Sequence, residues 1–98
     1  MGELTFLVTY TAKPGQREIF LRALAARGLP ETIRAEAGCL QYDYYLSIDN
    51  ADEILLTERW SSAEAQQTHL KQPHMAQVRE LKEQYVENTA LRCLSEVE

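Results

Sequence analysis

The chain has 98 residues, of which 45% are hydrophobic and 26% charged, so we expect one soluble globular domain over residues 1–98. Its net charge of -5 argues against nucleic acid and anionic membranes as partners, because both attract basic patches and the Lys and Arg residues here are scattered. No apolar run is long enough to span a bilayer, and the polar Met-Gly-Glu start is unlike a secretory signal. Neither Cys39 nor Cys93 belongs to a Cys-x-x-Cys pair, so we expect reduced thiols and a cytoplasmic location.

Hydrophobic periodicity and turn residues divide the chain into strands and helices. In the first half, the pattern predicts a strand over 3–12 and a helix from Gln16 that is interrupted at 28–30 and resumes over 31–37. Two strands follow, over 39–48 and 53–60. The rest of the chain is predicted to form a helix from Ser61 to about Leu70, a helical segment after Pro73, and a strand over 88–94. The second strand is expected to place Leu40, Tyr42, Tyr44, Leu46 and Ile48 on one face. We expect the acidic tail over 95–98 to fray.

The order β-α-β-β-α-β predicts a ferredoxin-like α+β fold, a four-stranded antiparallel sheet with helices on one face. Cys39 and Cys93 then lie on opposite edges of the sheet, too far apart for a disulfide. The face without helices also carries large apolar residues, namely Leu7, Tyr45 and Leu55. Because such a face would be an exposed apolar patch, we expect a second copy to cover it in a two-fold homodimer.

The chemistry-bearing residues concentrate between Glu53 and His74. Glu58 points to the same side of its strand as Trp60, and a carboxylate on an apolar face is costly to bury without a partner. The Ser61-x-x-Glu64 pattern is that of a capping box, and it turns the chain back so that His69 could meet Glu58. A Glu–His pair can abstract a proton from an enol, a quinol or a carbon beside a carbonyl, but the same pair is also compatible with a buried structural hydrogen bond.

Three further residues are candidates for substrate binding. Trp60 is either a flat wall for an aromatic ligand or part of the core. His74 either lines the mouth of a pocket or has a structural role, and Tyr42 either reaches the cavity with its hydroxyl or packs on the sheet. We expect no metal, because His69 and His74 are five residues apart with Pro73 between them, which prevents both from sharing one helical face.

Three segments resemble the antibiotic biosynthesis monooxygenase domain family: residues 54–60 (ILLTERW) with the capped helix that leads to His69, residues 72–75 (QPHM), and residues 37–39 (AGC). The resemblance spans Leu4 to about Leu94. It implies a dimeric α+β barrel, in which two ferredoxin-like sheets pack face to face, and a Glu and a His of the family's pocket match Glu58 and His69. Members include quinol and polyketide monooxygenases that use no metal or flavin, and isomerases of small phosphorylated signal sugars.

The sequence therefore leads to a hypothesis with open alternatives. The first is a cofactor-independent monooxygenase that oxidises a small aromatic, quinol or polyketide-like substrate with O2, using Glu58 and His69. Within enzymes, the alternative is an isomerase that uses the same acid–base pair. Outside enzymes, it is a dimeric binding or stress-response module whose polar residues only stabilise the barrel, since one fold serves many functions.

Overall fold

The structure is a computed structural model that describes residues 2–94, so the tail over 95–98 lies outside the described residues. Its elements are β1 (Leu4–Ala12), α1 (Arg17–Ala26), α2 (Leu29–Arg34), β2 (Cys39–Leu46), β3 (Glu53–Trp60), α3 (Ala63–Leu70), α4 (Met75–Tyr85) and β4 (Val86–Leu94). The kind and order of the elements are as predicted. The bounds of β3 are as predicted, those of the other elements differ by at most three residues, and β4 begins at Val86, earlier than expected.

The four strands form one antiparallel sheet in the order β2-β3-β1-β4, which confirms the ferredoxin-like fold. β1 lies at the centre, with Phe6 opposite Glu58 and Val8 opposite Leu56 on β3. Cys39 and Cys93 lie on the two edge strands as predicted, and both are free thiols.

The helices cover one face of the sheet, and the core lies between them. Strict alternation of side chains gives β1 and β3 a buried face and a partly exposed face. The helices contribute buried residues at helical spacing: Phe20 and Leu24 on α1, Leu29 and Ile33 on α2, and Met75, Val78 and Leu81 on α4.

The expected side-chain pattern of β2 is wrong at both ends. Cys39 pairs with Trp60 and Gln41 with Arg59, so Leu40 is the extra residue of a bulge and is 47% exposed. At the other end, the strand stops at Leu46, and Ile48 lies in the hairpin turn with 98% of its surface exposed. A local irregularity of this kind breaks the alternation on which the sequence prediction depended.

The face without helices has the apolar character that the sequence predicted. Leu7 and Leu55 are partly exposed in its centre, and Tyr45 is 49% exposed beside them. Among residues 2–94, no helix is both long and apolar enough to cross a membrane.

Candidate active site

The structure places a carboxylate between two histidines. His69 Nδ1 lies 3.0 Å from Glu36 Oε1 and 3.2 Å from Oε2, and His74 Nε2 lies 2.6 Å from Oε2. The side chain of Glu36 is only 9% exposed and that of His69 only 2%. Glu36 is therefore a nearly buried acceptor that orients both imidazole rings.

Glu36 reaches this position because the chain turns sharply between α2 and β2. α2 ends at Arg34, and Gly38 then adopts a φ of 86°, a conformation that glycine adopts readily and other residues rarely do. A Cβ at Gly38 would lie 2.5 Å from Ala65 Cβ and 2.9 Å from Ser61 Oγ, so the backbone passes directly against the start of α3. This close approach brings the end of α2 next to the helix that carries His69.

The start of α3 fixes the position of His69, but the capping residue differs from the predicted one. Ser62, not Ser61, is the N-cap, and its hydroxyl accepts a hydrogen bond from the backbone N–H of Ala65 at 3.0 Å. Ser61 N–H instead donates to the carbonyl of Gly38 at 2.8 Å. The predicted reversal of the chain is present, with the N-cap one residue later than predicted.

The expected hydrogen bond between Glu58 and His69 is wrong, because each side chain has another partner. Trp60 Nε1–H donates to Glu58 Oε1 at 3.0 Å along the same face of β3, and His69 pairs with Glu36. The Trp60 and His69 rings are packed together, with centroids 4.5 Å apart and planes inclined by 32°. Trp60 therefore links Glu58 to His69 through contacts with both.

A cavity of about 240 Å³ opens between the helices and the sheet, and both Glu58 and His69 line it. Its apolar lining consists of Phe6, Val8, Tyr10, Tyr42, Leu70, Met75, Val78 and Leu91. Its polar lining consists of Glu58, Gln66, His69, Arg79, Lys82 and Thr89. A largely apolar hollow with a few convergent polar groups is the usual form of a small-molecule site.

Burial shifts the pKa values of two ionisable groups in the cavity, Glu58 and Lys82, in opposite directions. Burial raises the pKa of Glu58, although the hydrogen bond from Trp60 and electrostatic interactions with His69 and Lys82 partly oppose this. Burial likewise lowers the pKa of Lys82, with the charge of Glu58 acting against the shift. A carboxyl group of raised pKa inside a cavity is suited to carry a proton as well as to accept one.

Tyrosines surround the site but are poor acids. Burial raises the pKa of Tyr44 to about 12 and raises that of Tyr42 and Tyr10 further. Tyr42 packs edge-on against both Tyr44 and His69, with ring centroids 5.8 and 6.0 Å apart. These phenols remain protonated at neutral pH and act as apolar walls with hydrogen-bonding ends.

Some of the candidate residues line the cavity, and the others lie outside its lining. Glu58, His69 and Tyr42 line the cavity. Trp60, expected as its wall, is fully buried beside His69 and does not line it. His74, for which the sequence left open a place at the pocket mouth or a structural role, lies outside the lining and contacts Glu36.

Glu36 was missed by sequence reasoning, although a weak signal existed. Its carboxylate lies just after the C-terminal end of a helix, where the helix dipole disfavours negative charge, so a compensating partner could have been sought. Nothing in the local sequence names that partner, because the two histidines are 33 and 38 residues away.

The described residues 2–94 contain no group of three or more His, Cys, Asp or Glu side chains arranged to hold a metal ion. In the Glu36 cluster, both histidines make direct hydrogen bonds to the carboxylate.

Fold and site together define a small α+β domain with a cavity lined by a histidine and a carboxyl group. The family model for antibiotic biosynthesis monooxygenase matches residues 4–81, so the chain belongs to that family. A search of functionally curated proteins found none whose sequence matches this chain.

Solved structures with similar folds agree with this membership. PA3566 from Pseudomonas aeruginosa is 31% identical, with 100% of this chain and 97% of that chain covered and a TM-score of 0.88. Rv0793 from Mycobacterium tuberculosis is 28% identical, with coverages of 99% and 97% and a TM-score of 0.84. A structure described as an antibiotic biosynthesis monooxygenase is 22% identical, with coverages of 97% and 99% and a TM-score of 0.83, and this likeness concerns the fold alone.

Proposed function

We propose that this protein is a monooxygenase that uses no metal or flavin and oxidises a small electron-rich aromatic, of which a quinol is the model, with O2. One observation carries the proposal: His69 lines an apolar cavity with one ring nitrogen bound to a buried carboxylate and the other free. Nδ1 contacts Glu36, and Nε2 makes no hydrogen bond to any residue in the described range 2–94. Such a histidine is held in the tautomer that a general base requires.

The first step is proton transfer from the substrate hydroxyl to Nε2 of His69. The imidazolium that forms is stabilised by the Glu36 carboxylate at 3.0 Å, and His74 holds that carboxylate from its other side. The phenolate is a much better electron donor than the phenol, and the surrounding Tyr42 and other apolar side chains keep water away from it.

The overall reaction balances without a further reductant. The phenolate passes one electron to O2, and the superoxide and the substrate radical combine to form a C–O bond. The O–O bond of the resulting peroxide then breaks, one oxygen stays on the ring and the other leaves as water. For a quinol, the ring is converted to a hydroxyquinone, so the substrate loses four electrons and O2 gains four. Glu58, whose pKa is raised by burial, supplies a proton to the departing oxygen.

The two alternatives use the same residues differently. An isomerase would move a proton beside a carbonyl with the same acid–base groups, but the mainly apolar lining favours an aromatic ring over a sugar. A non-catalytic module would leave the His69 and Glu58 contacts purely structural. Oxygen consumption separates both alternatives from the proposal, because neither an isomerase nor a binding module consumes O2.

The direct test is oxygen uptake by the purified protein with hydroquinone under air, corrected for autoxidation without protein. We expect uptake by the wild type, a fall of roughly 10²- to 10⁴-fold in His69→Ala, and a smaller fall in Glu58→Gln. Thr68→Ala changes the exposed neighbour of His69 and should retain wild-type uptake. Absence of protein-dependent uptake, or uptake unchanged in both site variants, would contradict the mechanism.

We further propose a homodimer in which the two open sheet faces pack together. The support is the partly exposed Leu7 and Leu55 in the centre of that face, with Tyr45 beside them. The cavity lies on the opposite side of the sheet, so this contact leaves its lining residues in place.

A further inference from the structure

Two cations, Lys82 and Arg79, line the cavity without an ion-pair partner among residues 2–94. Lys82 and Arg79 are three residues apart on α4, so both project to the same side of the helix and both line the cavity. Neither side chain forms an ion pair within 4.0 Å with any residue in the part of the chain that the structure describes, residues 2–94. Two like charges on neighbouring turns repel one another, and an anion placed beside both would remove that cost.

A contact with Tyr10 positions the ammonium group of Lys82 at the cavity. Its ammonium lies over the face of Tyr10, 5.1 Å from the ring centroid, in a cation–π contact. Glu58 is the one carboxylate among the lining residues of the described range, but its side chain accepts a hydrogen bond from Trp60 and forms no ion pair within 4.0 Å with Lys82. Lys82 is therefore a partly buried cation whose donors remain available to a ligand.

The size of the cavity limits the rest of the ligand. Pockets for drug-sized molecules occupy roughly 300–1,000 Å³. At about 240 Å³, this cavity suits one aromatic ring, which would pack among Val8, Tyr42 and Val78.

We propose that the cavity binds a single-ring aromatic acid, with its carboxylate against Lys82 and Arg79 and its ring hydroxyl directed to His69. This deepens the proposed function by naming the class of substrate, and it rests on the same cavity. A ligand of this class is a dihydroxybenzoate, which is a quinol that carries a carboxylate.

Calorimetric titration without oxygen tests binding apart from reaction. The probes are 2,5-dihydroxybenzoate, its methyl ester and hydroquinone, which share the ring and its hydroxyls but differ in charge. We expect the acid to bind about tenfold more tightly than the ester or more, as expected of a hydrogen-bonded charge pair. Lys82→Met should abolish that preference while leaving the affinity for the ester within about twofold.

Arg79→Gln should reduce the preference for the acid, and Lys71→Met, which removes an exposed charge outside the cavity, should leave it unchanged. Circular dichroism of each variant shows that it is folded. The proposal is overturned if acid and ester bind equally, if none of the probes binds, if inorganic phosphate binds as tightly as the acid, or if the preference survives in Lys82→Met.

The outcome is separable from that of the proposed function. If the protein binds the acid but consumes no oxygen with it, the proposed binding site is supported and the proposed monooxygenase activity is refuted. If the protein oxidises hydroquinone but shows no preference for the acid, the monooxygenase activity is supported and the carboxylate-binding site is refuted.

Discussion

Neighbours from separate parts of the chain hold the imidazole ring of His69 in place. Glu36, which precedes β2, fixes its Nδ1, while Trp60 at the end of β3 packs against its ring at 4.5 Å between centroids. Tyr42 contacts it edge-on from β2. A ring held from these sides can adopt few orientations, so in the proposed mechanism its Nε2, which makes no hydrogen bond within residues 2–94, would meet the substrate without a reorganisation step.

Glu36 contacts His69 and does not line the cavity, so in the proposed mechanism it is a positioning residue. Glu36→Gln keeps the shape of the side chain but removes the charge that stabilises the imidazolium, so we expect kcat to fall roughly 10- to 100-fold, part of the contribution of a general base. KM should remain near the wild-type value because Glu36 does not line the cavity.

Steady-state kinetics with hydroquinone measures this split between kcat and KM. Glu36→Asp, which restores the charge on a shorter side chain, should recover part of the lost activity. Glu64→Gln, an exposed change on α3, serves as the control. A rise in KM with kcat unchanged would show that Glu36 contributes to binding and not to proton transfer.

Burial of Glu58 makes stability depend on pH in a defined direction. Its pKa in the folded protein is raised above the ordinary value of 4.5, so the folded state holds the proton more tightly than the unfolded state. As pH rises from 4.5 through the folded pKa, the buried carboxylate ionises and the free energy of unfolding falls.

Glu58→Gln should therefore stabilise the protein near pH 8, with the gain shrinking as the pH approaches 4.5 and vanishing below it. Gln can still accept the hydrogen bond from Trp60, so the variant isolates the charge. Thermal unfolding across this pH range is the measurement, with Glu64→Gln as an exposed control. A gain that grows on acidification would contradict the assignment.

At the level of the elements, the site depends on the turn between α2 and β2. Gly38 combines a φ of 86° with a close approach to Ala65 and Ser61. The same turn places Glu36 against α3, so its geometry determines both folding and the orientation of His69.

Gly38→Ala should cost about 3 kcal/mol of unfolding free energy, from backbone strain together with overpacking against α3. Gly15→Ala is the matched control, because Gly15 has a φ of 77° but nothing within 4 Å of its would-be Cβ. We expect that control to cost roughly 1 kcal/mol from strain alone. Equal losses in denaturant titrations of the two variants would show that the contact with α3 is not tight.

The elements themselves could largely be predicted from the sequence, because periodicity and turn residues act locally. The alternation around Leu56 gave β3 its correct bounds. The bulge at Leu40 could not be predicted, since it depends on pairing with β3. The partner of His69 was missed for the same reason, because Glu36 becomes its neighbour only after the sheet and helices pack.

At the scale of the whole molecule, helices cover one face of the sheet and leave the other open. The open apolar face argues for association with a second copy of the chain. α1, α2 and α4 bury their apolar sides on one face, while Leu7 and Leu55 remain partly exposed on the other. The sequence predicted this apolar face from the alternation alone, and the structure confirms its exposure in a single chain. The occupant of the face remains the proposed second copy.

Light scattering should give twice the 11.2 kDa mass of one chain. Leu55→Glu places a charge in the centre of the proposed contact and should give the mass of a monomer. Ile19→Glu is the control, because Ile19 is a 41% exposed apolar residue on α1, away from the open face. A wild-type protein that scatters as a single chain would refute the dimer.

A monooxygenase of the proposed kind transfers one oxygen atom of O2 to the substrate that His69 deprotonates, and isotope labelling measures that transfer. The reaction is run with hydroquinone under ¹⁸O₂ in unlabelled water, and the hydroxyquinone is analysed promptly by mass spectrometry. We expect one ¹⁸O atom in the product of the wild type and of Thr68→Ala, with negligible labelled product from His69→Ala. A product whose added oxygen comes from water, or labelled product formed equally by His69→Ala, would contradict the proposed mechanism.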